Sequence, residues 1–276
     1  MQPISSEELN ELQGKCRLYL LLSVIFFMIS LFSLVSRWTI AFLTIVFSCA
    51  FSLLTSRLNK RRYAEALTQR LTVCIAQQAG AEFSAYTASE ALDPNRTAMG
   101  FTPDTFYVPG AKAHHVFHGM LNGKPLSISE AAFLRKNNSG QTCSVAGTLV
   151  SVQHAIPASE AWVILQNNPF SRFCPKDEYV QNGFTPVSSS ENLAAWRAPS
   201  GTDALLSSCI SLLTSNANDC PIALAAQNGT LSLFEIGTFY APTKVDYTKL
   251  FSDSDLKNAQ IHTFTLIRQI VEKLSS

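Results

Sequence analysis

The 276-residue chain is almost neutral, with 21 Lys and Arg against 20 Asp and Glu, and 47% of its residues are hydrophobic. Residues 1–81 hold eight basic and four acidic residues, a balance of +4, whereas residues 82–276 hold thirteen and sixteen, a balance of −3. The C-terminal part carries no basic stripe, so we expect no nucleic acid partner. The seven cysteines contain no C-x-x-C pair, which favours reduced cytosolic thiols over a disulfide framework or a zinc site.

The first predicted element is a transmembrane hairpin at residues 18–56, which follows a leader at residues 1–17. As one helix, the apolar run Leu18–Thr55 would be about 57 Å long at about 1.5 Å per residue, but the hydrocarbon core of a bilayer is only about 30 Å thick. Two helices of about 17–18 residues each match that thickness. The alternatives are two buried core helices, one span with an interfacial segment, and a signal peptide, although no small-residue cleavage site follows the first run.

The residues at the membrane interface are predicted from their side-chain chemistry. Arg37 and Trp38 fall at the expected turn, and both side chains favour the headgroup region over hydrocarbon. Further basic residues lie before the first span, at Lys15 and Arg17, and after the second. The positive-inside rule therefore predicts an inner-membrane protein with both termini in the cytoplasm. The predicted interface residues after the second span are Arg57, Lys60, Arg61 and Arg62.

Two further features of the helical region can be predicted. Thr44, Ser48 and Ser52 recur every four residues and share one helix face, where small residues would let the two spans approach closely. The alternative is that Ser and Thr are simply common in spans. Residues 57–81 predict a juxtamembrane helix that ends near Gly80, because apolar residues recur there at helical spacing. A helix lying on the membrane surface fits less well, since this stretch is only weakly basic beyond its start.

The remaining residues, 82–276, predict a cytosolic α+β domain of antiparallel strands with packed helices. Asn122-Gly123 and Asn228-Gly229 each separate two strand-like segments, and Asn-Gly favours the tight turn of a β-hairpin. The runs "CSVAGTLVSVQHA" and "AWVILQ" also predict strands. Helices are expected after Thr202, the predicted N-cap, and from near Ser252 or Asp253 to the C-terminus. The second helix would place along one side Leu256, Thr263, Ile267, Ile270 and Leu274.

The order of these segments is itself a pattern. It runs from "HHVFHGMLNGKPLSISEAAF" through "VAGTLVSV", "AWVILQ" and "FTPVSSSENLAAWRAPSGTDALLSSCISLL" to "GTLSLFEIG" and the terminal helix. This order resembles a bacterial membrane-protein family catalogued as domain of unknown function 3137, in which an Ala-containing link precedes the helix. The resemblance covers most of residues 57–276. It implies two membrane spans followed by an α+β body, and it implies no activity and no catalytic residue.

Within the sequence, His114, His115 and His118 are the strongest candidates for a chemical site. On a regular strand His114 and His118 would share one face and His115 would lie on the other. Metal ligands usually converge from more than one element, so a solvated strand is the preferred interpretation. The chain has no G-x-S-x-G, P-loop, G-x-G-x-x-G or H-E-x-x-H motif. We therefore expect no cofactor, and we prefer a binding protein to an enzyme.

Three functions are consistent with this organisation. The preferred one is a membrane-anchored protein that contacts lipid through residues 18–56 and whose cytosolic domain binds a protein partner, since anchoring raises the effective concentration near membrane partners. Self-association is left open. The alternatives are a subunit of an oligomeric channel or transporter, although the predicted spans lack charged residues, and an enzyme that acts on a lipid or a small molecule.

Overall fold

In the computed structural model of the protein, the described residues are 5–35, 39–78, 80–92, 112–136, 142–167, 180, 183–189, 192–215, 221–237 and 262–275. They divide into two compact units, one holding the described residues up to Leu71 and the other those from Thr72 onward. The first unit is a pair of long helices, and the second is built on a β-sheet. The chain is therefore a mixed α+β protein with two long apolar N-terminal helices.

The N-terminal part of the chain contains two helices, α1 at Ser6–Val35 and α2 at Thr39–Gln78. The prediction of two helices rather than one is confirmed, while Arg37 and Trp38 lie outside the described residues. At 30 and 40 residues, both helices are longer than the predicted spans. Helical hydrogen bonding continues from the apolar runs into the polar flanks, so most of the leader and the juxtamembrane segment belong to the same helices as the spans.

Local interactions define the outer ends of these two helices. Ser5 and Glu8 form a capping box: the Glu8 amide donates to the Ser5 hydroxyl at 3.2 Å, and the Ser5 amide donates to the Glu8 carboxylate at 2.9 Å. Glu7 and Glu8 also place negative charge in the first turn of α1, where the helix dipole favours it. After the end of α2, Gly80 adopts a φ of +79°, the left-handed conformation that commonly ends a helix. The predicted stop near Gly80 is confirmed.

Nine strands of the described residues form one antiparallel sheet. They are β1 (Ala81–Ala91), β2 (Lys112–Leu121), β3 (Lys124–Lys136), β4 (Thr142–Val152), β5 (Trp162–Gln166), β6 (Thr185–Ser189), β7 (Leu193–Arg197), β8 (Ile222–Gln227) and β9 (Thr230–Ile236). Their order in space is β1-β2-β3-β4-β9-β8-β5-β7-β6. The β8–β9 hairpin therefore lies between β4 and β5, so the centre of the sheet combines strands that are distant in sequence.

Both predicted Asn-Gly turns are confirmed. Asn122 and Gly123 have φ angles of +51° and +73° and connect β2 to β3, while Asn228 and Gly229 have φ angles of +50° and +80° and connect β8 to β9. Positive φ at both central residues defines the type I′ turn, whose twist matches that of the flanking strands. Asn and Gly tolerate this conformation better than other residues do, which is why the dipeptide predicts the hairpins.

One face of the sheet carries a large hydrophobic cluster with members from β2 to β9. Phe133 and Phe234 pack edge to face within it, with ring centroids 4.9 Å apart. Successive residues of a strand point to opposite faces. β5, which is fully buried, and β8, which is buried except at its last residue, must therefore be covered on both sides. The core of this unit therefore has two layers, one on each face of the sheet.

The helices of this unit are α3 (Leu206–Ser215) and α4 (His262–Ser275). Helix α3 contacts β5, and α4 contacts β4 and β9. None of their buried residues belongs to the hydrophobic cluster, so we place both helices on the opposite face. Ile267 and Ile270, which were predicted to share one side of this helix, are both buried, together with Leu266 and Val271. The predicted start of this helix near Ser252 lies outside the described residues.

The prediction that Thr202 caps α3 is wrong, because the helix begins four residues later, at Leu206. The Thr202 hydroxyl instead lies 3.2 Å from Oε1 of Glu160, and the same oxygen accepts the amide hydrogen of Ala204 at 3.1 Å. The other oxygen, Oε2, accepts from Nε1 of Trp162 at 2.8 Å. A buried carboxylate from another segment thus satisfies the donors ahead of the helix, and charged acceptors form stronger hydrogen bonds than hydroxyls.

Candidate functional site

The two long helices pack against each other along a seam with coiled-coil spacing. In each helix the buried and half-buried positions recur at alternating intervals of three and four residues. We call this set the helical seam. It consists of Leu9, Leu12, Cys16, Tyr19, Ser23, Phe26 and Ser30 in α1, and of Phe42, Ile45, Cys49, Ser52, Ser56, Asn59, Tyr63 and Ala66 in α2.

Polar contacts cross the helical seam near its middle. The hydroxyl oxygens of Ser23 and Ser52 lie 2.9 Å apart, and the Ser52 hydroxyl is 3.0 Å from the carbonyl oxygen of Tyr19. The Cys49 thiol donates to the carbonyl oxygen of Ser23 at 3.6 Å. Such short side chains let the backbones of two helices approach closely. These contacts show that the helices are antiparallel and fix their register.

The outward-facing residues of the apolar part are large and hydrophobic. Of the described residues between Leu18 and Leu54, sixteen large apolar side chains are exposed, Phe47 with 74% of its surface. In the same part the seam combines short polar side chains, at Ser23, Ser30, Cys49 and Ser52, with half-buried larger ones, at Tyr19, Phe26, Phe42 and Ile45. Both helices are long and apolar enough to cross a membrane, and only 17% of each apolar window is buried. A hairpin that is stable in water shows the reverse pattern, with an apolar seam and polar outer faces.

The part of the hairpin nearest the N-terminus of α1 has that reverse pattern. Here the seam is a hydrophobic cluster of Leu9, Cys16, Tyr63, Ala66 and Leu67. The outward positions are charged and exposed, and Glu11 pairs with Lys15 at 2.7 Å. We call this part the stalk. The outer surface therefore changes along a single pair of helices, from apolar around residues 18–54 to charged in the stalk.

The change of polarity coincides with the predicted interface residues of α2. Arg57, Arg61 and Arg62 are exposed and Lys60 is half-buried. The pairing of Ser23 with Ser52, and the hydrogen bond from Arg70 to Ser6, imply that Lys15 and Arg17 of α1 lie at the same level. We call these six cations the basic collar: Lys15, Arg17, Arg57, Lys60, Arg61 and Arg62.

The predicted packing face of Thr44, Ser48 and Ser52 is only partly confirmed. Ser52 faces α1, but Ser48 donates to the carbonyl oxygen of Thr44 within its own helix at 2.9 Å, and Thr44 is exposed. The true seam advances by alternating steps of three and four, whereas a strict step of four drifts around the helix. The spacing of Ser52, Ser56, Asn59 and Tyr63 is the sequence signal that identifies it.

In the sheet unit, a cavity of about 210 Å³ opens on the face that carries the hydrophobic cluster. Nε2 of His118 lies 3.0 Å from Oε2 of Glu90 within it. The imidazole and the carboxylate are about 27% and 34% exposed, so both are accessible from the cavity. The remaining polar lining comes from Ser84, Ser127, Ser129 and Gln153.

A β-bulge positions His118 in this cavity. The pairing of β2 with β3 shifts between His114, opposite Glu130, and His118, opposite Ser127. Glu130 and Ser127 are three residues apart on β3 and so lie on opposite faces. The prediction that His114 and His118 share a face is therefore wrong. His115 occupies the bulge with a φ of +53°, and the extra residue reverses the alternation.

The cavity has the parts needed for proton transfer or for binding a polar ligand. Glu90 can fix the orientation and tautomer of His118, as carboxylates do for catalytic imidazoles. The hydroxyls of Ser127 and Ser129 have no side-chain hydrogen-bond partner within the described part of the chain, and both line the cavity. Among the described residues no group of three or more His, Cys, Asp or Glu side chains converges as metal ligands would.

Comparisons with known proteins add no functional assignment. No family model matches the chain, and no curated protein and no solved structure matches it either. The resemblance to domain of unknown function 3137 therefore stays a prediction from the order of segments. What the chain does has to be argued from the helical hairpin and the cavity themselves.

Proposed function

We propose that this protein is anchored in the inner membrane by the apolar part of its helical hairpin, residues 18–56, and that its α+β domain binds a protein partner in the cytoplasm. The observation that carries the anchor is the reversal of polarity at the basic collar. Moving one Leu or Phe side chain out of water is worth about 1.5–3 kcal/mol, and sixteen large apolar side chains are exposed among the described residues of this part. Lipid around the apolar part and water around the stalk would satisfy both surfaces.

The dimensions of the apolar part support this proposal. From Leu18 to Val35, α1 contributes 18 residues, or about 27 Å at about 1.5 Å per residue. That length fits a hydrocarbon core about 30 Å thick with little tilt. The basic collar would then lie at the headgroups of one leaflet, and the stalk would project into the water beyond it. The positive-inside rule assigns that side to the cytoplasm.

Support for a partner comes from the edge of the sheet. Strand β1 has 11 residues and, within the described part of the chain, pairs only with β2. It contains no Pro and no Lys, two residues by which natural proteins commonly protect a sheet edge, and its register with β2 shifts only between Phe83 and Ala85. Most of its side chains are small, so an extended segment of another protein could add to it as a further strand. We take this edge as the partner's docking position.

The anchor is tested by alkaline carbonate extraction of membranes from cells that produce the full chain. Carbonate releases peripheral proteins and leaves integral ones in the pellet. We expect the full chain to stay in the pellet and to be released only by detergent. Release of the intact, folded chain by carbonate alone would overturn the anchor.

The partner position is tested with a photo-crosslinking amino acid placed at Ala88 of β1 in the full chain. Val187 of β6, which is also exposed, is the matched control position. We expect one adduct of defined mass from Ala88 in native membranes, and none of that mass from Val187. Equal labelling from both positions, or no adduct from Ala88, would rule out this edge as the docking position.

The cavity favours a second candidate function, an enzyme or receptor for a small molecule. The observation behind it is the His118–Glu90 pair beside unpartnered serine hydroxyls. Thermal shift of the detergent-solubilised full chain against a metabolite panel tests it. A ligand of the cavity should raise the Tm of the wild type and of His114→Gln, but not of His118→Gln. His114 is the matched control because it is exposed on the opposite face. Equal shifts in both variants would exclude the cavity.

A further inference from the structure

A groove of about 580 Å³ lies on the surface of the helical hairpin, next to the basic collar. Its wall on α1 is Leu20, and its floor follows one side of α2. The lining on α2 begins with Ala50, Leu53 and Leu54 and ends with Ser56, Arg57 and Lys60. The groove is therefore apolar along most of its length and cationic at one end.

Ala50, Leu53, Arg57 and Lys60 follow one another at intervals of three and four along α2, so these four lining residues share one helix face. From Ala50 to Lys60 the groove extends about 15 Å, at about 1.5 Å per residue. Ala50 is small, and the larger side chains of Leu20, Leu53 and Leu54 line the same groove. This shape accepts a narrow hydrocarbon chain lying parallel to the helix.

The polar end of the groove suits a phosphate group. An Arg guanidinium donates two parallel hydrogen bonds to phosphate oxygens, and a Lys ammonium adds a compact positive charge. Arg57 and Lys60 lie on consecutive turns of α2 and both line the groove. Ser56 is only 3% exposed, and its hydroxyl has no side-chain hydrogen-bond partner within the described part of the chain. Among the described residues, no carboxylate lines the groove.

We propose that this groove binds one anionic phospholipid, with its phosphate between Arg57 and Lys60 and one acyl chain along Leu20, Ala50 and Leu53. This inference rests on the proposed membrane anchor, which would bring lipid to the groove. A free phosphate would leave the apolar length of the groove exposed to water, so the occupant is a lipid rather than a soluble phosphate. The site distinguishes anionic from zwitterionic lipids because the headgroup of the latter carries a compensating cation.

The test is native mass spectrometry of the full chain, purified in mild detergent and titrated with phosphatidylglycerol or phosphatidylcholine. We expect one phosphatidylglycerol to bind at lower concentration than phosphatidylcholine. Each cation near an anionic headgroup contributes about fivefold in affinity, so Arg57→Gln/Lys60→Gln should weaken phosphatidylglycerol binding by at least about tenfold. The matched control, Arg61→Gln/Arg62→Gln, removes the same charge outside the groove and should change binding by less than about twofold.

Two further experiments distinguish the contribution of the acyl chain from that of the phosphate headgroup. Ala50→Leu fills the apolar part without changing charge and should weaken binding of the lipid. A millimolar excess of glycerol phosphate carries the same headgroup chemistry without a chain and should not displace the lipid. Any one of four results would overturn the site. The two double variants could lose the same affinity for phosphatidylglycerol, or the wild type could bind phosphatidylcholine equally well. Alternatively, Ala50→Leu could bind the lipid unchanged, or glycerol phosphate could displace it. If the protein stays in the membrane after carbonate extraction but binds no lipid selectively, only the lipid site is contradicted. If carbonate releases the protein, the membrane anchor is contradicted as well.

Discussion

The hydroxyl oxygens of Ser23 in α1 and Ser52 in α2 lie 2.9 Å apart, although the two residues are 29 positions apart in the chain. Both polar side chains are buried, whereas many of the large apolar side chains in the same runs are exposed. In hydrocarbon, where lipid tails are as apolar as Leu, short polar side chains between helices supply close packing and hydrogen bonds. This pair is therefore the clearest sign of how the apolar part of the hairpin holds together.

Enlarging one residue of this pair should loosen the hairpin. Ser52→Leu removes a buried hydrogen bond and inserts methylenes into a close helix contact, which should cost about 1–3 kcal/mol. Thr44→Leu is the control, because Thr44 is exposed on the same helix. The stabilities of the two variants are compared by unfolding the full chain with sodium dodecyl sulfate. Energy transfer between fluorescent labels on α1 and α2 reports the separation of the helices. If the two variants unfold together, the pair does not hold the helices.

Charges on the outward face should expel the hairpin from lipid. Phe27→Lys/Phe47→Lys places two ammonium groups in the middle of the proposed spans, at about 2.5–3.5 kcal/mol for each residue. In water the same change would be nearly neutral, since both phenyl rings are exposed. We expect the amount retained in carbonate-washed membranes to fall sharply, while Phe27→Leu/Phe47→Leu is retained like the wild type. Unchanged retention of the lysine variant would argue for a hairpin surrounded by water.

Two glycines should respond in opposite directions to the same substitution. A Cβ at Gly147 would lie 2.0 Å from the carbonyl oxygen of Glu235 in the neighbouring strand, so Gly147→Ala should lower the free energy of unfolding by about 3 kcal/mol. A Cβ at Gly14, inside α1, meets nothing within 4 Å. Gly14→Ala should therefore stabilise that helix by about 0.5–1 kcal/mol. Thermal unfolding of the detergent-solubilised chain measures the stability of both variants. If Gly147→Ala is as stable as the wild type, β4 and β9 pair less closely than described.

The buried thiol of Cys209 should make stability depend on alkaline pH. Burial, followed by the charge of Glu160, raises the pKa of Cys209 from 9.0 to about 12. An unfolded chain releases this proton above pH 9, whereas the folded chain keeps it until about pH 12, so stability falls as the pH rises through that window. Cys209→Ala should reduce the loss between about pH 9 and about pH 11 by about 1–3 kcal/mol. Denaturant unfolding at several pH values measures this, and identical slopes for both proteins would contradict it.

Much of the fold could be predicted from local signals. The break between the two apolar runs follows from their length, and the two β-hairpins follow from the conformational preference of Asn-Gly. Two strands carried no such signal. β1 is rich in Ala, Ser and Thr, and β7, "LAAWR", reads as an Ala-containing link. Both are strands because neighbouring strands pair with them, and single-strand composition does not reveal that context.

The candidate sites were less predictable because they depend on long-range register. His118 reaches the cavity only because His115 forms a bulge, and a positive φ at a histidine has no local sequence signal. The sequence predicts that Lys15 and Arg17 lie on the same side of the membrane as the basic residues after the second span. That all six cations lie at one level of the hairpin follows only from the pairing of α1 with α2. The helical seam was visible in principle, since Leu9, Leu12 and Cys16 have heptad spacing. In the apolar runs the seam was harder to recognise, because Ser23, Cys49 and Ser52 occupy seam positions there.

The most direct measurement of the central claim is the side of the membrane on which the two chain ends lie. Cells carrying the full chain with an epitope tag at each end would be converted to spheroplasts and treated with protease before and after lysis. The account predicts that both tags survive in intact spheroplasts and that both are cleaved after lysis. Cleavage of either tag from outside, while a cytoplasmic marker stays intact, would contradict it.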